Sequence, residues 1–210
     1  MSQRLDIQKT YKLYINGKFL RTESGRYSPV LDSNGNLIAN ICQASRKDFR
    51  EAVKAARNAT VIWSSRTPYN RGQILYRVAE TLEGRKGQFA EELITMGMKR
   101  KNAEKEVETS LDRLVYYAGW ADKYQQLFSS VNPVSSSHYN FSVPEYQGVI
   151  AIIAPKNNPL LGLVSLFAPA IAGGNTVVCL ASEESPLSSI SFAEVLHASD
   201  MPMGVVNILT

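Results

Sequence analysis

The 210 residues are poor in the groups that usually declare a chemistry. There are two cysteines, Cys42 and Cys179, and two histidines, His138 and His197. The cysteines are too far apart in sequence to form a metal-type pair and too few for a disulfide framework. Neither has a cationic neighbour or a helix start beside it to activate a thiolate, so both read as core thiols. The histidines have no second ligand or carboxylate at useful spacing and read as surface or structural residues; no metal site is expected. Long apolar runs are missing too. The longest, Leu160 to Ala172, falls short of the ~20 residues of a membrane span and suits a buried helix. The first ten residues, MSQRLDIQKT, lack the apolar centre of a secretion signal, so the expected location is cytoplasmic. There is no internal repeat, and the one low-complexity stretch is the serine run at 135–137.

What is present is material for a core, 44% hydrophobic residues, and a net charge of +4 that is unevenly spread. Residues 1–113 carry 21 Lys and Arg against 13 Asp and Glu, whereas residues 114–210 carry 2 against 6. A basic half can attract nucleic acid. Here the only cluster is Lys99-Arg100-Lys101, and the acids Glu104, Glu106 and Glu108 follow it at once. That pattern reads as the solvated face of an amphipathic helix. Basic and aromatic residues do not interleave, so no nucleic-acid partner is expected, and no membrane partner either.

The order of elements is legible from turn chemistry and periodicity. YKLYINGKFL alternates and turns at Asn16-Gly17, a hairpin signal. Ser33-Asn34-Gly35-Asn36 is a second turn, with Leu37 to Cys42 as its return strand. Ser45 is a candidate N-cap for a helix with Phe49, Val53 and Ala56 on one face. Thr67-Pro68 opens a second helix carrying Ile74, Leu75, Val78, Ala79 and Leu82 at helical spacing. A third runs from about Lys86 to Met98, and a long fourth places Val107, Leu111, Leu114, Val115 and Ala118 on one stripe. Asn132-Pro133 and the serines break the pattern before two β-rich stretches, HYNFSV and YQGVIAIIA.

From there the chain alternates: strand Val149–Ile153, helix Leu160–Ala172, strand Thr176–Leu180, helix Leu187–Ala198, strand Val205–Leu209. Short apolar strands alternating with helices predict a parallel sheet covered on both faces. Such sheets bind ligands beyond the carboxyl ends of their strands. PKNNP, residues 155–159, lies at one such end and SEES, residues 182–185, at the next.

In this order and spacing, YINGKFLRTESGR, WSSRTPYNRGQILYRVAETLEGRKGQFAEEL, DRLVYYAGWADK, GVIAIIAPKNNPL, APAIAGGNTVV and GVVNILT resemble the N-terminal part of the aldehyde dehydrogenases, over nearly the whole chain. The resemblance implies an α/β fold: an N-terminal β-hairpin and helices leading into an incomplete parallel Rossmann-like sheet, with a β oligomerisation arm. It divides the chain into hairpins and the helical part of the cofactor-binding domain (1–131), the arm returning to the sheet (132–153), and an incomplete nucleotide-binding core (154–210). Family members oxidise aldehydes with NAD or NADP through a cysteine thioester, and an asparagine side chain helps stabilise the oxyanion. That asparagine belongs to a P-W-N-F-P motif matched by Pro155, Asn157 and Pro159, which makes Asn157 the counterpart of the oxyanion donor. The same side chain also suits the N-cap of the following helix. Ile153, Ala154, Pro155, Lys156, Ser182 and Glu183 are the cofactor-binding counterparts.

The departures from the family carry expectations of their own. Lys156 and Asn158 replace the two aromatics of the first motif. In the family's K-P-S-E motif, Leu180 replaces a lysine that holds the adenine-side ribose, and leucine donates no hydrogen bond. Weakened cofactor binding follows. The family's pyrophosphate turn, general-base glutamate and nucleophilic cysteine come after the GVVNILT strand, and these 210 residues contain none of them. The expected functions are an aldehyde dehydrogenase-like chain inactive by itself, or a non-catalytic subunit that docks on a related chain; a self-sufficient enzyme using unfamiliar residues is the third reading. The expected partners are a second copy or a related chain, met through the arm at 137–153, where Tyr139, Phe141 and Val143 alternate. A sheet ending at Val205–Leu209 is expected to leave that edge bare.

Overall fold

Alanines bring the first helix close to the sheet. In the computed structural model, which describes residues 8–210, helix α1 (Arg46–Ser64) starts at a full capping box. Ser45 Oγ accepts from the Asp48 amide at 3.2 Å, and Asp48 Oδ2 accepts from the Ser45 amide at 2.8 Å. Its buried stripe is Ala52, Ala55, Ala56, Ala59 and Trp63. Phe49, expected on that stripe, is 49% exposed, because the small side chains set the approach distance and leave it outside. The reading of MSQRLDI as lacking a secretion signal lies outside the described residues.

Helices α2 (Pro68–Glu83), α3 (Lys86–Thr95) and α4 (Arg100–Trp120) form a layer. Thr67 caps α2 through its hydroxyl, with Pro68 in the first turn, and all five of its expected apolar positions are buried. On α4 the predicted stripe holds for Val107, Leu111 and Leu114, while Val115 is exposed.

The central sheet has five strands. Strands β8 (Val149–Ile153), β9 (Thr176–Leu180) and β10 (Val206–Leu209) are parallel, joined by helices α6 (Pro159–Ala172) and α7 (Leu187–Ala198). The hairpin β2 (Leu13–Ile15) and β3 (Lys18–Leu20) turns at Asn16 and Gly17, both at positive φ, as a primed turn requires. It then pairs antiparallel with β10, Tyr14 opposite Ile208. This corrects one expectation: the β10 edge is covered by the hairpin, and the edge strands of the sheet, among the described residues, are β3 and β8. A buried asparagine fastens the join. Asn207 Oδ1 accepts from the Asn16 amide at 2.9 Å, and its Nδ2 donates to the Gly204 carbonyl at 2.8 Å.

Alternation sorts the two faces of the sheet. Tyr14, Ile152, Val177, Cys179, Val206 and Ile208 pack into the main core with α2, α3, α4, α6 and α7. Leu13, Ile15, Val178 and Leu209 pack against α1. A second sheet, β1 (Lys9–Tyr11), β5 (Leu37–Cys42) and β4 (Tyr27–Leu31), rests against Leu187 and Ile190 of α7. A short helix α5 (Tyr124–Phe128) leads into a two-stranded ribbon, β6 (Ser130–Asn132) with β7 (Asn140–Ser142). Strand β6 was not expected; it lies where Asn132-Pro133 marks a break. Among the described residues no helix is long and apolar enough to cross a membrane.

Candidate functional site at the strand ends

Because β8, β9 and β10 are parallel, their carboxyl ends open on one rim. Backbone bonds step along it: the Ala154 amide donates to Leu180 O at 2.9 Å, the Ala181 amide to Leu209 O at 2.8 Å, and the Ala44 amide to Thr210 O at 2.6 Å. The loops carrying Ile153 to Asn157 and Ser182 to Glu184 are thereby neighbours, as the sequence predicts.

The first loop turns sharply. Asn158 stands in the left-handed region at φ 52° and makes no side-chain capping bond, and Asn157 is exposed. The N-cap reading of Asn157 therefore fails; the cap position belongs to Asn158. Pro155 lies against α6, so close that a β-carbon on Gly162 would sit 2.1 Å from Pro155 Cγ. The absent side chain at Gly162 is what lets the loop fold down onto the helix.

The cap of α6 comes from elsewhere. Glu106, in the middle of α4, is 3% exposed, and its Oε1 accepts from the amides of Leu160 at 2.9 Å and Leu161 at 3.2 Å. Burial pushes this carboxyl upward, opposed by the two amide donors. Its Oε2 is buried without a partner. In the sequence Glu106 is one of the acids that offset Lys99-Arg100-Lys101; in the fold it is buried beneath the site. A signal existed, since Ala103, Glu106, Val107 and Ser110 fall at the i, i+3, i+4, i+7 spacing of a buried stripe and all four are buried.

The remaining counterparts divide by exposure. Ile153 is 75% exposed and Ala154 is buried; Ser182 is buried and Glu183 exposed. Lys156, which replaces an aromatic of the family motif, reaches across to the second loop and pairs with Glu184, Nζ to Oε2 at 2.5 Å. Leu180 presents an exposed apolar side chain where the resemblance places a lysine.

Neither sulfur reaches the rim. Cys42 and Cys179 are both free and buried, and burial pushes the Cys179 thiol far up. His197 packs edge-on to Tyr14 and Phe19, and His138 bonds Ser136 within the exposed loop between β6 and β7. Among the described residues no three His, Cys, Asp or Glu side chains gather as a metal-ligand group.

A sequence model of the aldehyde dehydrogenase family matches residues 19–210. This chain belongs to the aldehyde dehydrogenase family. Cytosolic 10-formyltetrahydrofolate dehydrogenase of Xenopus tropicalis is 35% identical over 214 residues, which cover 98% of this chain and 23% of that protein. The mitochondrial 10-formyltetrahydrofolate dehydrogenase of Homo sapiens is 32% identical over 212 residues, 97% of this chain and 23% of that one. Among solved structures, the NAD+ complex of an aldehyde dehydrogenase from Bacillus cereus superposes with a TM-score of 0.91 at 28% identity, covering 96% of this chain and 41% of that chain. The PnpE structure in complex with nicotinamide adenine dinucleotide gives 0.90 at 32% identity, covering 97% and 41%. This chain spans less than half the length of each of these proteins. The α/β fold expected from the sequence is the one these two solved structures share with it.

Proposed function

We propose that these residues build the oxyanion and ribose side of an NAD(P)-dependent aldehyde dehydrogenase site, while supplying neither its nucleophile nor its general base. The observation that carries this is the rim itself: Asn157 is exposed there, with its cap role taken by other groups, while both sulfurs lie in the core. A free side-chain amide held on a fixed loop is the chemistry an oxyanion donor needs, a role worth about 3 kcal/mol of barrier in other enzymes. The domain division follows the same reading: 1–131 as hairpins and helical support, 132–153 as arm, 154–210 as core.

The residues fit part of a dinucleotide. Glu183 offers an exposed carboxylate for ribose hydroxyls, with Ser182 behind it and Ile153 to Lys156 along the opposite wall. They do not fit the pyrophosphate. The natural seat for phosphate is a helix N-terminus, and that of α6 is already taken by the Glu106 carboxylate. No step of the reaction is therefore assigned to the cofactor in this chain, and NAD+ or NADP+ is expected to bind weakly.

A second reading, a non-catalytic subunit that docks on a related chain or a second copy, is favoured by the ribbon. Tyr139, Phe141 and Val143 are 74%, 60% and 48% exposed there. A cytoplasmic location goes with either reading. The test is to add an aldehyde and NAD+ to the purified chain and follow NADH absorbance, with calorimetric titration of NAD+ and NADP+ alongside. No turnover and no micromolar binding are expected; either one overturns the proposal. Light scattering across a concentration series addresses the second-copy form of the second reading, and a monomer throughout removes that form.

A further inference from the structure

The amides of an α-helix's first turn have no partner within the helix, and those of α6 are all provided for, each in a different way. Pro159 has no N–H. Leu160 and Leu161 donate to Glu106 Oε1, and Gly162 donates to the Asn158 carbonyl at 2.7 Å. The helix start directly follows the loop that bears Asn157, and Glu106 belongs to α4, more than fifty residues earlier in the chain. We infer that Glu106 is the positioning residue of this loop: by holding the Leu160 and Leu161 amides it fixes the start of α6, the left-handed turn at Asn158, and through them the place of Asn157 on the rim.

A packing role alone does not account for this side chain. For filling space between α4 and α6, an apolar residue of similar volume serves better, because a carboxylate must be stripped of water and its Oε2 has no partner. Two amides converging on one oxygen are the specific gain, since hydrogen bonds to a charged acceptor are stronger than those between neutral groups. The negative end also faces the positive end of the α6 dipole. Gly162 gives the arrangement its other half: with Glu106 drawing the first turn toward α4, Pro155 closes onto the helix at the one position without a side chain. The loop is thus pinned from beneath by a carboxylate and from the side by a proline ring.

The inference rests on the proposed function only for its consequence at Asn157; the positioning itself is read without catalysis. Hydrogen exchange and 15N NMR of the 210-residue chain test it in three variants. In Glu106→Leu, protection of Leu160 and Leu161 is expected to fall by at least about tenfold, with the Asn157 and Asn158 signals shifting or broadening, while Val177, Val178 and Ile208 keep their protection. Glu106→Gln, which keeps a carbonyl oxygen in place, restores those amides to within a few-fold of wild type. Glu106→Asp keeps the charge but shortens the reach; it gives the same local loss as leucine, and it serves if the leucine variant does not fold. Wild-type protection in the leucine and aspartate variants, a glutamine variant no better than leucine, or a loss spread evenly over α4 and the sheet overturns the inference. If these results hold but the chain turns over an aldehyde or binds NAD+ at micromolar concentration, the proposed function falls and Glu106 stands; the opposite pattern removes Glu106 alone.

Discussion

Lys156 and Glu184 form the only ion pair that joins the loop after β8 to the loop after β9 among the described residues. Both ends are well exposed, so the pair is screened and contributes little to stability. Glu184→Gln is expected to leave the melting temperature within about 2 °C of wild type. It also releases Lys156 toward any anionic ligand in the crevice. Dinucleotide affinity at low salt should then rise by up to about fivefold, and the gain should vanish at high salt. Calorimetry at two ionic strengths checks both parts.

Gly162 provides the second prediction, and its sign is decided by geometry. Glycine inside a helix ordinarily costs about 0.5–1 kcal/mol relative to alanine, so Gly162→Ala ought to stabilise α6. The new methyl instead meets Pro155 Cγ at 2.1 Å. A net loss of about 1–3 kcal/mol in urea denaturation is expected, with the 155–158 resonances displaced.

Arg71 shows how an unpaired buried cation can be structural. Its guanidinium donates to Ala172 O at 3.0 Å, Ser64 O at 3.3 Å and Arg66 O at 2.6 Å, and burial lowers its pKa. It ties the corner between α1 and α2 to the last turn of α6, where helix carbonyls want a cation. Arg71→Leu strands those carbonyls and should cost at least about 2 kcal/mol; Arg71→Lys, without the planar fork, should recover less than half of it. Thermal melts of the two variants are the check.

The pH dependence of stability should carry the mark of Glu92. Burial raises its carboxyl, opposed by hydrogen bonds from Gln88 and Ser191 and by Lys9, with the charge of Glu194 adding to the rise. A group whose folded pKa is raised stabilises fully below its unfolded value, near 4.5, and that contribution is lost as the pH climbs through the folded value. Glu92→Gln should therefore flatten the fall in stability above pH 4.5, seen by urea midpoints measured across pH.

Local chemistry was readable in the sequence because it is local. Ser45 and Thr67-Pro68 mark helix starts through residues adjacent to them, Asn16-Gly17 supplies the positive φ values of its own turn, and the strands and helices after Val149 alternate within a few residues of where they form. What escaped depends on distant partners. Glu106 looks like one more solvated acid until α6 arrives above it. The pairing of β2 with β10 joins residues nearly two hundred apart, so the sequence could assign the hairpin but not its place in the sheet. Phe49 sits at a helical spacing that fits a core, yet the alanines beside it fix how near the helix can come. At the site, the resemblance located the two loops; the ion pair and the carboxylate beneath them needed coordinates.

The joining of Tyr14 to Ile208 bears on how the chain is born. Ribosomes release about 5–20 residues each second, so the first hairpin emerges on the order of ten to forty seconds before the strand it will clasp. Through that interval its apolar side has no permanent neighbour, and Asn16 waits for the asparagine that will hold its turn. The central sheet can close only once residues 206–209 are free to meet the hairpin, so an early segment and a much later one must come together before this layer is complete.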